Sequence, residues 1–184
     1  MIKRTKSKEL LAQSIEQLAA SKSVNKIRIK DITENCGLTS PMFYYYYKDA
    51  DDIINYIFRT DFEKKIENGP DRLDYEWLLH RLADLLREKY GFYQNVLQNT
   101  HGVNSLYNTS ASVILEYIRE KMRADFENGE IPPHLDLMLE FHIYGVRTKA
   151  CDLMTAGYQE DLDDLLDIFV AALPADLKPY LLKG

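Results

Sequence analysis

At 184 residues, with 46% hydrophobic and 28% charged side chains, the chain has an ordinary globular composition and enough length for one large or two small domains. No apolar run approaches the roughly 20 residues needed to cross a bilayer, and the opening MIKRTKSKELL is basic but lacks the apolar stretch of a signal peptide, so a cytoplasmic protein without membrane contact is expected. The net charge of −6 argues against a nucleic-acid binder until it is divided: residues 1–48 hold nine Lys or Arg against four acids, a balance of +5, and the remainder carries −11.

In chain order, Leu10, Leu11, Ile15, Leu18 and Ala19 recur at helical spacing and predict an amphipathic helix over residues 6–21. Two short helices follow, 28–35 and 39–46. A fourth begins near Asp49 with an acidic first turn, suited to the positive end of a helix dipole, and is stopped by Asn68-Gly69-Pro70. That stop is the expected boundary between a head and a body. Leu73, Trp77, Leu78, Leu82, Leu85 and Leu86 predict a helix ending near Tyr90-Gly91, followed by helices over 92–99, 105–127, 133–156 and 160–173. The expectation is an all-α chain of about nine helices: an N-terminal three-helix domain (1–48) linked by the helix at 49–67 to a C-terminal helical domain (70–184).

The most informative stretch is RIKDITENCGLTSPMFYYYYK, residues 28–48. Ile29 and Ile32 give the first short helix an inner face. Gly37 is free to take the positive φ that ends it, Thr39 is a natural N-cap, and Pro41 falls in the first turn of the next helix, where a missing N–H costs nothing. Helix, three-residue turn with glycine, capped second helix: the outline is a helix-turn-helix. Cys36 and Cys151 stand far apart without metal-ligand spacing, which suggests reduced thiols and leaves one disulfide open.

With Ile32, Gly37, Leu38, Thr39, Met42, Phe43, Tyr44, Tyr46, Tyr47 and Ile53 at matching places, and Leu11, Ser14, Ile15 and Leu18 upstream, about the first 60 residues resemble the DNA-binding domain of the TetR family of transcription regulators. Met42 stands where that family usually has Thr or Ser, and Ala50 where it usually has Lys, both backbone-contact positions. Arg28, Lys30 and Lys48 are the cations expected to compensate. The resemblance implies a homodimer that reads a palindromic operator in double-stranded DNA.

Neighbours on a helix are about 100° apart, so four consecutive tyrosines cannot share one face. Phe43 and Tyr47 are expected in the core, against the first and fourth helices. Tyr44 is expected at a phosphate or base edge, Tyr46 at a phosphate and Tyr45 at a thymine methyl or base, with Thr39, Ser40, Pro41 and Met42 on the same surface. Lys3, Arg4 and Lys6 form a basic arm before the first helix, either laid along DNA or merely solvated. The helices over 133–156 and 160–173 are read as the dimer face, with Leu162, Leu165, Leu166, Phe169 and Val170 an apolar stripe on the last of them, the alternative being that this stripe closes the protomer core. Two heads about one DNA turn apart, ~34–36 Å, can read a palindrome that one short helix cannot.

None of His80, His101, His134 and His142 has zinc-ligand spacing, and no nucleophile, P-loop or dinucleotide motif is present, so neither an enzyme nor a cofactor is expected. Trp77, Tyr93, Tyr107, Phe141, His142 and Cys151 interrupt apolar faces with amphipathic or polarizable groups and are the candidate effector pocket. The resemblance implies a repressor released by a small molecule. YIFRTDFEKKI and KYGFYQNVL also resemble the branch of the family typified by the activator of dihydroxyacetone kinase genes, which implies instead a partner-protein signal. A helical interaction module that has lost DNA binding is the rival reading, supported by Met42 and Ala50.

Overall fold

Amphipathic spacing without any alternating run leaves helices as the way to bury the apolar residues, and the computed structural model is built so. It describes residues 2–157 and 162–182, and of residues 2–5 and 162–164 the backbone alone. Among the described residues every regular element is helical: α1 (Ile2–Ala19), α2 (Ile29–Asn35), α3 (Ser40–Tyr46), α4 (Ala50–Ile66), α5 (Tyr75–Glu88), α6 (Tyr90–Asn99), α7 (Leu106–Met122), α8 (Pro133–Thr155), α9 (Leu162–Ala171) and α10 (Lys178–Leu181), with 3-10 turns at Val24–Lys26, Arg123–Asp125 and Ala175–Leu177. The all-α expectation holds. The unforeseen α10 is four residues long, too short to leave a periodic pattern, and carries Pro179 in its first turn. α1 also starts earlier than expected: nothing in IKRTKSKEL breaks a helix, so the backbone of the expected arm is helical from Ile2.

Residue contacts divide the chain into two compact units, one of residues 1–60 and 89–109, the other of 61–88 and 110–184. The grouping is interleaved along the sequence because α6 is keyed onto the N-terminal helices. The Asn95 amide of α6 donates to the carbonyls of Ala19 (2.8 Å) and Lys22 (2.9 Å) and accepts from Val24 N–H (3.0 Å). One side chain thus satisfies backbone groups left over where α1 ends, at positions no intrahelical bond can serve. Glu16 of α1 and Lys89 pair beside it. The apolar centre of this unit is Leu11, Ile15, Ile32, Phe43, Ile53, Ile54, Tyr93 and Val96, all fully buried. The buried Ser14 hydroxyl donates to Ile32 O at 2.7 Å and accepts from Asn35 Nδ2 at 3.0 Å, tying α1 to α2.

In the other unit Tyr75, Leu78, Leu85, Leu115, Ile118, Leu139, Leu177 and Leu181 fill the core. Arg119 of α7 binds Asp136 of α8 in a fork (2.6 and 2.9 Å) and Glu140 at 2.5 Å, the geometry a planar guanidinium favours. Phe126 and Tyr180 stack with centroids 5.1 Å apart. The turn after α4 is closed by Trp77, whose indole lies over Gly69.

A Cβ built at Gly69 would stand 2.7 Å from Trp77 Cη2 and 3.0 Å from Ile66 O. Gly69→Ala is therefore expected to destabilise the protein by about 1–3 kcal/mol, the usual cost of overpacking, as read from urea unfolding midpoints. Asn95→Ala, which strands three backbone groups, is expected to cost about 1–3 kcal/mol and to speed amide exchange at Val24.

Candidate nucleic-acid interface

The turn between α2 and α3 has the hydrogen bonds its sequence promises. Gly37 sits at φ +69°, its N–H bonds Glu34 O (3.3 Å) and Leu38 N–H bonds Thr33 O (2.8 Å), the paired closure of a glycine-terminated helix. Thr39 takes the extended backbone of an N-cap, although its hydroxyl makes no capping bond, and Pro41 lies in the first turn of α3. At the start of α2, Arg28 N–H donates to Asp31 Oδ2 at 3.0 Å, and Lys22 Nζ reaches the same oxygen at 2.6 Å. Those bonds hold the Asp31 carboxyl below its ordinary range.

α3 is pinned by its aromatic inner edge. Phe43 is completely buried and Tyr47 nearly so. Their rings lie 5.7 Å apart, Tyr47 packs on Tyr56 of α4 at 5.5 Å, and its hydroxyl donates to Lys8 O of α1 at 3.2 Å. Both residues are core, as the spacing implied. The same anchoring turns the other tyrosines outward: Tyr44 is 61% and Tyr45 59% exposed, with Met42 at 38%. Pro41 and Thr39 are exposed, whereas Ser40 and Tyr46 are half-buried. Tyr46 meets Tyr45 edge-on at 4.9 Å.

Lys6, Arg28, Lys30 and Lys48 are exposed; the Lys3 and Arg4 side chains lie outside the described residues. Lys30 pairs with Glu34 at 3.6 Å on the helix surface, a contact worth little to stability. At α4 the backbone is capped by acids: Asp49 accepts from Asp52 N–H (2.8 Å) and Asp52 from Lys48 N–H (2.9 Å), with Ala50 between them. Lys22, Asn25, Lys26, Arg28 and Asp31 surround an open depression of about 560 Å³. Lys22, Asn25 and Lys26 were absent from the expected surface. Their signal in the sequence was the spacing KSVNKIR, which becomes a cluster once the turn at Val24–Lys26 folds the stretch back.

The expected effector residues fall in both units. Tyr93 and Tyr107 belong to one unit, Trp77, Phe141, His142 and Cys151 to the other. Phe141 is 75% exposed, while Tyr93 is fully buried and packs edge-on with Phe58 and Phe92. His142 is a core residue whose Nε2 lies 2.8 Å from the Tyr75 hydroxyl, and burial pushes the Cys151 thiol up to about 11. Amphipathic interruptions of apolar faces thus mark ring packing and buried polar pairs as readily as a ligand site. The stripe expected on the last helix is partly covered within the protomer. Leu166 and Phe169 are buried within the protomer, Leu165 and Val170 are half-buried, and the Leu162 side chain lies outside the described residues. α9 packs on α5, so its strongest apolar face closes the protomer core. Exposed apolar groups lie at Ile168 and, on α8, the other helix expected at the dimer face, at Leu137, Phe141 and Tyr144.

The fold is that of helix-turn-helix regulators of the TetR type. Two solved structures carry the likeness. The dihydroxyacetone kinase operon activator DhaS matches with a TM-score of 0.66 at 18% identity, over 95% of this chain and 98% of that one. A tetR-family transcriptional regulator from Streptomyces coelicolor matches with 0.54 at 14%, over 94% and 91%. In sequence, the chain is 25% identical over 90 residues to the HTH-type dhaKLM operon transcriptional activator DhaS of Lactococcus lactis subsp. lactis (strain IL1403). The match takes in 49% of this chain, which spans about half the length of that curated relative. No protein-family model matches the chain. These similar proteins are transcription regulators, not enzymes, and no helix among the described residues is long and apolar enough to cross a membrane.

Burial holds the His142 imidazole below its ordinary value of 6.5. The folded chain therefore takes up this proton less readily than the unfolded one, and the stability involved is complete above about pH 6.5 and lost as the pH falls below it. The urea midpoint of the native chain is expected to drop more between pH 7 and pH 5 than that of His142→Gln.

Proposed function

We propose that the protein is a sequence-specific DNA-binding transcription regulator acting as a homodimer on a palindromic operator. The observation that carries this reading is the outward display of Tyr44, Tyr45 and Met42 from a helix whose other edge is fixed by Phe43 and Tyr47. Folding alone does not favour so large an exposed aromatic surface, and contact with bases and phosphates makes use of it. Thr39, Ser40, Pro41 and Tyr46 complete the surface. Arg28, Lys30, Lys48 and the Lys6 end of α1 supply phosphate contacts, joined by Lys26. Cations on the α2 side offset the loss of a basic group at Ala50, where the acids of the α4 cap oppose phosphate. The chain would act where the DNA is, in the cytoplasm.

Leu137, Phe141 and Tyr144 follow one another at i, i+4 and i+7, hence on one face of α8. A second copy presenting the same stripe buries both by two-fold symmetry. For the direction of regulation, both DhaS relatives are named activators. Activation is the favoured reading, with the signal brought by a partner protein. A small-molecule-released repressor is the alternative.

Binding of the purified protein to DNA from upstream of its own gene, against scrambled duplex across a salt series, tests the reading. Selective binding that persists near physiological salt supports it; binding blind to sequence that vanishes with salt sinks it and leaves the fold as an interaction module. Transcription from that DNA, with and without the protein, then separates activator from repressor. The Lys26→Ala, Arg28→Ala double variant is expected to weaken all sequences alike and to flatten the log–log salt slope by about 2, near one per phosphate contact. Phe141→Glu is expected to yield monomers by light scattering with little change in helix content.

A further inference from the structure

The recognition surface of α3 has an unusual chemical make-up. At about 100° per residue, Pro41 and Tyr45 lie directly opposite buried Phe43, with Met42 and Tyr44 on the two flanks. All four are exposed. None carries a charge or an amide. The whole helix, SPMFYYY, contains no Arg, Lys, Asn, Gln, Asp or Glu.

The major groove is read by matching chemistry. Guanine is recognised through O6 and N7 by Arg or Lys, adenine through N6 and N7 by Asn or Gln, and cytosine through N4 by a carboxylate; thymine alone offers a methyl group to an apolar side chain. The face α3 presents fits only the last of these. Tyrosine hydroxyls can bond a base edge, but they donate and accept alike and discriminate poorly.

We propose that α3 reads thymine methyl groups through Met42, Tyr45 and Pro41, so that each operator half-site is built on T·A pairs. The inference rests on the DNA-binding reading above and adds the identity of the bases read. Cationic contacts fall outside α3, so affinity comes from phosphates met by Lys26, Arg28, Lys30, Lys48 and Lys6, and sequence preference comes from methyl packing. A protein of this design pays no penalty for unpaired charged groups over a wrong base, so its selectivity is modest per position and is summed over the palindrome.

The test is selection of binding sites from a random duplex pool by the full chain, then resynthesis of the selected site with uracil in place of thymine, one position at a time. Uracil deletes the methyl and leaves pairing unchanged. The expected result is a T·A-rich core in which each uracil facing α3 lowers affinity about three- to fourfold, the transfer value of one buried methyl-sized group. Tyr45→Ala or Met42→Ala should abolish that penalty at its own position while the uracil effect elsewhere persists. Placing 5-methylcytosine at such a position should recover part of the affinity that plain cytosine loses. A selected core of G·C pairs, or thymine positions indifferent to uracil, overturns the methyl reading and leaves sequence-specific binding standing. Selection that returns no preferred sequence overturns both.

Discussion

The burial of Phe43 and Tyr47 is the constraint on which the candidate interface depends. A seven-residue helix has too little hydrogen bonding to hold itself in place. α3 is fixed by one ring driven wholly into the core and a second whose hydroxyl is spent on the backbone of α1. Once those two rings are inside, helical geometry leaves Met42, Tyr44 and Tyr45 no place but the surface. A run of four tyrosines, which reads as a hydrophobic tract, is thereby sorted into an anchor and a display. The Ser14 hydroxyl on Ile32 O does the matching work for α2, so both halves of the motif are held from α1.

Polar side chains that finish backbone hydrogen bonding do more to define this unit than ion pairs do. Asn95 completes the frayed end of α1 and the turn after it, Asp31 serves the start of α2, and Asp49 and Asp52 cap α4. Each addresses groups that no helix can satisfy internally. The caps also set the local charge. Acids at α4 turn that edge against phosphate, while Lys22, Lys26 and Arg28 gather around the turn before α2.

Much of this was legible in the sequence because it rests on local chemistry. Gly37, Thr39 and Pro41 fix a turn within five residues, and Phe43 and Tyr47 share an edge by simple periodicity. The rest was not, for reasons of tertiary context. Periodicity identifies an apolar face without saying what covers it: on α9, Leu166 and Phe169 are buried within the protomer. His142 was a polar interruption with no visible partner until Tyr75, 67 residues away, came within 2.8 Å. The role of Asn95 was invisible for the same reason, since its partners are backbone atoms more than 70 residues distant.

The central claim is that the exposed aromatic surface of α3 serves binding and contributes little to folding. Measuring the affinity of Tyr45→Ala for the DNA that the native chain prefers, alongside its urea midpoint, tests that most directly. The expected result is affinity lower by about tenfold, near 1.4 kcal/mol, with an unchanged midpoint. Unchanged affinity, or a midpoint that falls together with binding, would contradict it and make the tyrosine run a structural feature.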